Sequence, residues 1–245
     1  MSSPKTAPTT AFVLAAGLGT RMRPLTDDRP KALVEVGGRA LIDHMLDRLR
    51  DAGAKRFVVN VHAFADRLEA HLLGRTDLDI VISDEREALL ETGGGLKKAA
   101  PLLGHEPIWV ANIDSVWIED HAKDEPSRAL KELAAAWDAE AMDAILLLAR
   151  MDRTTGFDGA GDFFMDGDNR LAFRNEAPAA PLNYMGVHIT RPGLVADVPE
   201  AAFSLSKIWR QSAPQGRLHG VMMEGDWMHV GDPEARDIAE ARLAR

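Results

Sequence analysis

The 245-residue chain contains no cysteine, which excludes disulfides, thiolate metal sites and a cysteine nucleophile and gives no sign of secretion. It also lacks an excess of positive charge. Twenty-nine Lys and Arg stand against 38 Asp and Glu, a formal net charge of −9, so binding to nucleic acid or to an anionic membrane is disfavoured and a small soluble ligand fits better. No apolar run approaches the roughly 20 residues of a membrane-spanning helix, and the opening MSSPKTAPTT lacks the apolar core of a signal peptide. The expected compartment is therefore the cytoplasm, with residues 1–10 as a disordered tail. Internal repeats and a linker that would split the chain are missing too, so residues 11–245 are expected to form one domain, with 46% hydrophobic residues to build its core.

What is present is an alternation of short apolar runs and helical periodicity. Residues 11–16 read as a buried strand that stops at Gly17, and 41–52 (LIDHMLDRLRDA) put Leu41, Met45, Leu46 and Leu49 on one helical face before Gly53. Further strands are expected at 56–61, 79–83, 107–111, 144–149 and 183–190, and helices at 63–73, 94–103, 127–140, 205–211 and 233–244. This order predicts an α/β, three-layer Rossmann-like domain with a mainly parallel sheet flanked by helices. Residues 161–174 break the pattern, reading as two strands joined around Gly167, Asp168 and Asn169, a small antiparallel flap.

Four segments carry chemistry. In the first, Gly17-Leu18-Gly19-Thr20-Arg21 is followed by Pro24-Leu25-Thr26 and Pro30-Lys31. Glycines let a backbone approach a triphosphate and aim its amides at anionic oxygens, while Arg21 and Lys31 supply a planar fork and a point charge for the outer phosphates. The spacing is neither that of a Walker loop nor that of the dinucleotide fingerprint. The second is Glu91-Thr92-Gly93-Gly94-Gly95 after Glu85, which also reads as a helix N-terminus with a capping threonine. The third, Asn112-Ile113-Asp114, ends an apolar strand at the edge where open α/β sheets bind ligands, and Asp114 is a hard oxygen ligand suited to Mg²⁺, or a helix cap. The fourth is Trp227-Met228-His229-Val230-Gly231-Asp232-Pro233.

Residues 13–31, VLAAGLGTRMRPLTDDRPK, closely resemble the signature of the sugar nucleotidyltransferases, which make nucleoside diphosphate sugars. The resemblance implies that family's fold, an NTP and a sugar 1-phosphate as substrates, and Mg²⁺ as cofactor. It implies catalytic roles for Arg21, Lys31 and Asp114, and a nucleotide site of Leu14, Ala15, Ala16, Gly17, Gly19, Thr20, Arg21, Lys31, Glu85, Thr92, Gly93 and Asn112. On the sugar-phosphate side it points to Asp162, Asn175, Glu176 and Gly186. The metal would rest on Asp114, with His229 or Asp232 as a second ligand or with one metal sufficing. Two positions depart from the family pattern: His229 stands where a second aspartate is usual, and Ala177 in Asn175-Glu176-Ala177-Pro178 replaces a lysine that holds the sugar phosphate, for which Arg174 or Lys207 are the available substitutes. Asn60 and His62 read as capping or packing residues.

Within the family, the short chain, the Glu91–Gly95 segment and the Trp227–Gly231 ending look most like small bacterial members of cell-wall recycling that move a uridylyl group onto N-acetylmuramic acid 1-phosphate. Guanylyl transfer to mannose or heptose phosphates, and a non-catalytic homologue that binds a nucleotide sugar, are the alternatives.

Overall fold

The computed structural model describes residues 7–120 and 127–244. Strands β1 (Thr10–Leu14), β2 (Arg56–Val61), β3 (Asp79–Asp84) and β4 (Ile108–Asn112) lie parallel in the order β3-β2-β1-β4. A 9-stranded sheet continues from β4. After β5 (Ser115–Glu119), β6 (Ala144–Arg150), β7 (Phe163–Met165) and β8 (Leu171–Phe173), the long β9 (Leu182–Thr190) runs antiparallel between β4 and β6. Beyond it β10 (Leu218–Met222) pairs parallel with β6. Seven of the nine strands point one way and β9 and β8 are reversed, so the sheet is mixed and mostly parallel.

Successive residues of β1 and β2 feed different cores. Ala11, Val13, Phe57 and Val59 join one apolar cluster, whereas Phe12 and Val58 join the other. Period two with both faces covered is what turns each strand into a continuous apolar run. Helix α1 (Leu41–Asp51) buries Leu41, Ile42, Met45, Leu46 and Leu49 on the first face, adding Ile42 to the four expected. Helices α2 (Ala65–Leu73), α4 (Arg128–Ala136) and α6 (Pro233–Leu243) bury Leu68, Leu130 and Ala239 in the same cluster. On the second face lie α3 (Glu91–Leu103) and α5 (Ser206–Ser212), with Leu96 and Ile208.

Three expectations change. Residues 1–6 of the expected tail lie outside the described residues, but Thr10 opens β1, the Pro8 carbonyl accepts from the Trp109 indole at 2.8 Å and the Thr9 carbonyl from the Lys55 amide at 2.8 Å. The order at 7–10 comes from backbone groups, which residue polarity does not reveal. The flap is hydrogen-bonded into the main sheet, since β7 pairs with β8 and, through Phe163, with β9. A second, 3-stranded sheet that the pattern does not reveal joins β5, β11 (Gly225–His229) and Thr154–Thr155.

Glycine-rich α3 explains itself by packing. A helical glycine costs roughly 0.5–1 kcal/mol relative to alanine, so a run of three needs an offset. A Cβ on Gly93 would lie 2.3 Å from the Phe203 ring and one on Gly94 2.1 Å from the Ala201 carbonyl; without side chains, α3 lets the 201–205 segment lie directly against it.

Candidate active site

The registers of the parallel strands build the site. Leu14 is level with Asn60 on one side and with Asn112 on the other, so β1, β2 and β4 deliver their carboxyl ends to one cleft of about 520 Å³. The chain leaving β1 is fixed by a neighbour. Asn60 Oδ1 accepts from the amides of Ala15 (2.6 Å) and Ala16 (3.2 Å). Those two amides are engaged inside the protein, whereas among the described residues Gly17, Leu18 and Gly19 donate to nothing and line the cleft. Gly19 sits at φ 64, and its carbonyl accepts from Thr26 Oγ1 at 2.8 Å. A Cβ on Gly19 would stand 3.0 Å from the Lys31 Cβ, so the spacing from Gly19 through Thr26 to Lys31 reflects one folded-back loop.

Lys31 Nζ donates to Asp114 Oδ2 at 2.8 Å, and His229 Nε2 is 3.4 Å from the same oxygen. The imidazole arrives there through the second sheet, in which β11 pairs His229 with Ser115 and the Val230 amide donates to the Asp114 carbonyl at 2.9 Å. Burial opposes the Asp114 carboxylate, but the His229 hydrogen bond and the Lys31 charge outweigh it and hold the carboxyl below the usual range. Arg21 and Gly231 complete this wall, with Arg21 Nη1 3.6 Å from where a Gly231 Cβ would be.

Among the described residues no cluster of three or more His, Asp and Glu side chains suited to a metal occurs. A cation at Asp114 would therefore need substrate oxygens, as Mg²⁺ commonly does. The donors present fit that demand. His229 Nδ1 lies 3.0 Å from the Gly156 carbonyl; a carbonyl only accepts, so Nδ1 carries a hydrogen and Nε2 is the nitrogen turned to Asp114, the one a cation would take. Asp114 Oδ2 and His229 Nε2, 3.4 Å apart, would present adjacent ligands to such a cation. A backbone carbonyl fixing the far ring nitrogen is the usual support of a ligating histidine.

On the far side of the loop, Glu85 is buried beneath the cleft and its Oε1 accepts from Asn60 Nδ2 at 2.8 Å. Oε2 has no partner, and burial pushes the Glu85 carboxyl up despite the Asn60 contact. Thr92 lines the cleft, but its hydroxyl accepts from the Leu205 amide at 2.9 Å. Gly93 does not reach the cleft. Its amide donates to the Phe203 carbonyl at 2.8 Å, so packing against the 201–205 segment removes it from the nucleotide side.

The other expected residues divide. Leu14, Gly17, Thr20, Arg21, Asn112 and Asp114 line the main cleft. Asp162 and Asn175 line a second pocket of about 270 Å³. Gly186 lies at a bulge of β9 at φ 83, where a Cβ would be 3.1 Å from Asn112, so it permits a close approach of strands and is not on either wall. Glu176 is exposed and outside both pockets, because the turn after β8 faces it outward. Asp232 is the N-cap of α6, accepting from the Ala235 amide at 2.8 Å, which takes it out of the metal position. Lys207 is paired with Glu200 at the surface.

A family model for the MobA-like NTP transferase domain matches residues 11–155. The chain is 57% identical over 242 residues to N-acetylmuramate alpha-1-phosphate uridylyltransferase of Caulobacter vibrioides, covering 97% of this chain and 98% of that one. The chain belongs to the sugar-1-phosphate nucleotidyltransferase family. The N-acetylmuramate alpha-1-phosphate uridylyltransferase of Neisseria meningitidis is 34% identical, over 90% of this chain and 92% of its own. The inositol-1-phosphate CTP transferase from T. maritima superposes with a TM-score of 0.77 at 20% identity, covering 96% and 94% of the two chains, and shares the fold.

Asn60 does more in this nucleotidyltransferase than cap or pack, since it holds the loop amides and Glu85 together. An asparagine at the carboxyl end of the strand beside the glycine loop is the available signal, since loop amides need an acceptor there. Leu18, Leu89, Ser204 and Gly231 also line the cleft; nothing in their residue types distinguishes them.

Proposed function

We propose that this enzyme transfers the uridylyl group of UTP to N-acetylmuramic acid 1-phosphate, releasing pyrophosphate and forming a UDP-sugar, in the cytoplasm as part of cell-wall sugar recycling, with Mg²⁺ as cofactor. The observation that carries the reading is the Lys31–Asp114–His229 cluster beside a loop of free amides, in a chain 57% identical to a relative bearing that activity's name. Leu14, Gly17, Gly19, Thr20 and Arg21 would hold the triphosphate, and Asp162 and Asn175 the sugar.

A sugar 1-phosphate is already anionic and attacks the α-phosphorus without a protein base, so the work is alignment and relief of phosphate repulsion. Lys31 and Arg21 contribute charge, and the loop amides contribute oriented dipoles. Asp114 and His229 would hold the Mg²⁺, which supplies further charge neutralisation to the phosphates. Glu85 backs the base side of the cleft by fixing Asn60, which in turn holds the loop amides of Ala15 and Ala16.

The test is pyrophosphate release with UTP, GTP, CTP, ATP or dTTP crossed with muramic, glucosamine, glucose, mannose or heptose 1-phosphates. UTP with N-acetylmuramic acid 1-phosphate is expected to exceed other combinations in kcat/KM by at least about tenfold, one decade being about 1.4 kcal/mol. Nucleotide binding without turnover across the panel would sink the enzymatic reading.

His229 gives a separate prediction. His229→Ala should weaken Mn²⁺ binding, followed by electron paramagnetic resonance with a non-reacting UTP analogue bound, on the order of 10- to 100-fold. His229→Asp should retain binding and move preference toward Mg²⁺, because carboxylate is the harder ligand. Unchanged Mn²⁺ affinity in His229→Ala would leave the ring as a structural hydrogen-bond donor.

A further inference from the structure

The second pocket carries more positive charge than a neutral sugar requires. It lies between β7, β8, β9 and α5 and contains Asp162, Arg174, Tyr184 and Arg210. In a chain with surplus acid, neighbouring arginines are neutralised, Arg170 by Asp168 and Arg217 by Asp143. Among the described residues neither Arg174 nor Arg210 forms an ion pair. Arg174 is held by backbone carbonyls, donating from Nε to Gly161 at 2.9 Å and from Nη1 to Ala177 at 3.0 Å, so it fixes the loop after β8. Arg210 is different. Its guanidinium stacks 4.2 Å from the Phe173 ring centroid and makes one long contact, Nη1 to Asn175 Oδ1 at 3.3 Å. Stacking orients the planar fork while leaving an edge free for a bidentate anion.

The pocket's one carboxylate, Asp162, lies within the field of Arg174 and is not paired with Arg210. Asp162 Oδ2 accepts from the Tyr184 amide at 3.0 Å, leaving Oδ1 as an acceptor for a hydroxyl. Position argues against the anomeric phosphate as the anion at Arg210. The acceptor phosphate must meet the α-phosphorus beside Asp114 and Asn112, where Gly186 abuts Asn112. Tyr184, on the pocket wall, is two residues from Gly186 across the bulge, a reach of at most about 7 Å. That offset corresponds to the far side of the sugar ring.

Resting on the reading of this chain as a sugar 1-phosphate uridylyltransferase, we propose that the pocket beside Arg210 receives a carboxylate carried on the acceptor sugar, and that Arg210 selects acidic sugar 1-phosphates over neutral ones. Arg174 and Phe173 are its positioning residues.

The test compares wild type, Arg210→Ala and Arg210→Lys with UTP and either N-acetylmuramic acid 1-phosphate or its carboxylate-free counterpart, N-acetylglucosamine 1-phosphate. Arg210 is exposed, so its truncation leaves the core untouched. Arg210→Ala should lower kcat/KM for the acidic sugar by about 10- to 100-fold, mostly through KM, the effect of losing a charge-assisted hydrogen bond. The neutral sugar should change by less than about twofold, and Arg210→Lys should recover part of the preference through its retained charge. Equal losses on both sugars, or a preference for the acid that survives Arg210→Ala, overturn this inference and leave the uridylyltransferase reading intact. A wild type that uses only neutral sugars overturns both.

Discussion

Asp114→Asn should reduce kcat/KM for nucleotidyl transfer by about 10³- to 10⁴-fold, a loss of several kcal/mol of transition-state stabilisation. The amide keeps the shape and one acceptor oxygen but cannot carry the charge that meets Lys31 at 2.8 Å and His229 at 3.4 Å. Asparagine is also a poor ligand for a hard cation. The fold should survive. The Asp114 carbonyl, not its side chain, accepts from the Val230 amide, so the junction of the two sheets is preserved. Loss of one charge-assisted contact should cost roughly 1–2 kcal/mol, a fall of about 2–8 °C in melting temperature for a chain of this size. Pyrophosphate release and a thermal melt on the same preparation check both parts. A rate within tenfold of wild type would take the carboxylate out of the chemistry.

The legible and illegible parts of the molecule differ in the range of the forces that make them. Strands β1, β2 and β6 and helix α1 announce themselves because the apolar pattern is local and two-sided burial leaves no ambiguity. The 13–31 loop is legible because the demands for a left-handed glycine, a threonine tether and a lysine all fall within a dozen residues. Strands β5 and β11 are not, since each is ordered by the other across more than a hundred residues, with Trp227 Nε1 donating to Ser115 Oγ at 2.6 Å. Sequence separation, here of 45 residues, likewise hides the role of Asn60, whose partners Ala15 and Ala16 leave the adjacent strand. Gly93 misleads for the opposite reason: its glycine is demanded by Phe203, a contact that mimics a ligand-binding signature. Asp232 likewise follows a short-range rule, N-capping, which is stronger locally than the family position suggests. Arg210 becomes visible only when Phe173 is beneath it.

Lys31→Met should produce two effects of opposite sign. Turnover should fall by roughly 10³-fold, with KM for UTP raised, because a point charge that would face the outer phosphates is lost from a partly buried wall. Metal binding in the absence of nucleotide should strengthen. Lys31 Nζ occupies Asp114 Oδ2, the oxygen that also faces His229, so the ammonium competes with a cation for the same lone pairs. A triphosphate would resolve this competition by drawing Lys31 onto its own oxygens, leaving Asp114 and His229 to the metal. Binding of nucleotide and metal would then be coupled through one lysine, and by linkage each would raise the affinity of the other equally. Mn²⁺ titration of wild type and Lys31→Met, with and without a non-reacting UTP analogue, measures this directly. The analogue should tighten Mn²⁺ binding in wild type more than in the variant, and identical enhancement in both would show that the phosphates act on the cation without releasing Lys31 from Asp114. Lys31→Arg should not restore the wild-type balance. The Lys31 Cβ packs against Gly19, and a planar fork delivered from that crowded backbone would engage Asp114 through two nitrogens and hold it more firmly than the ammonium does.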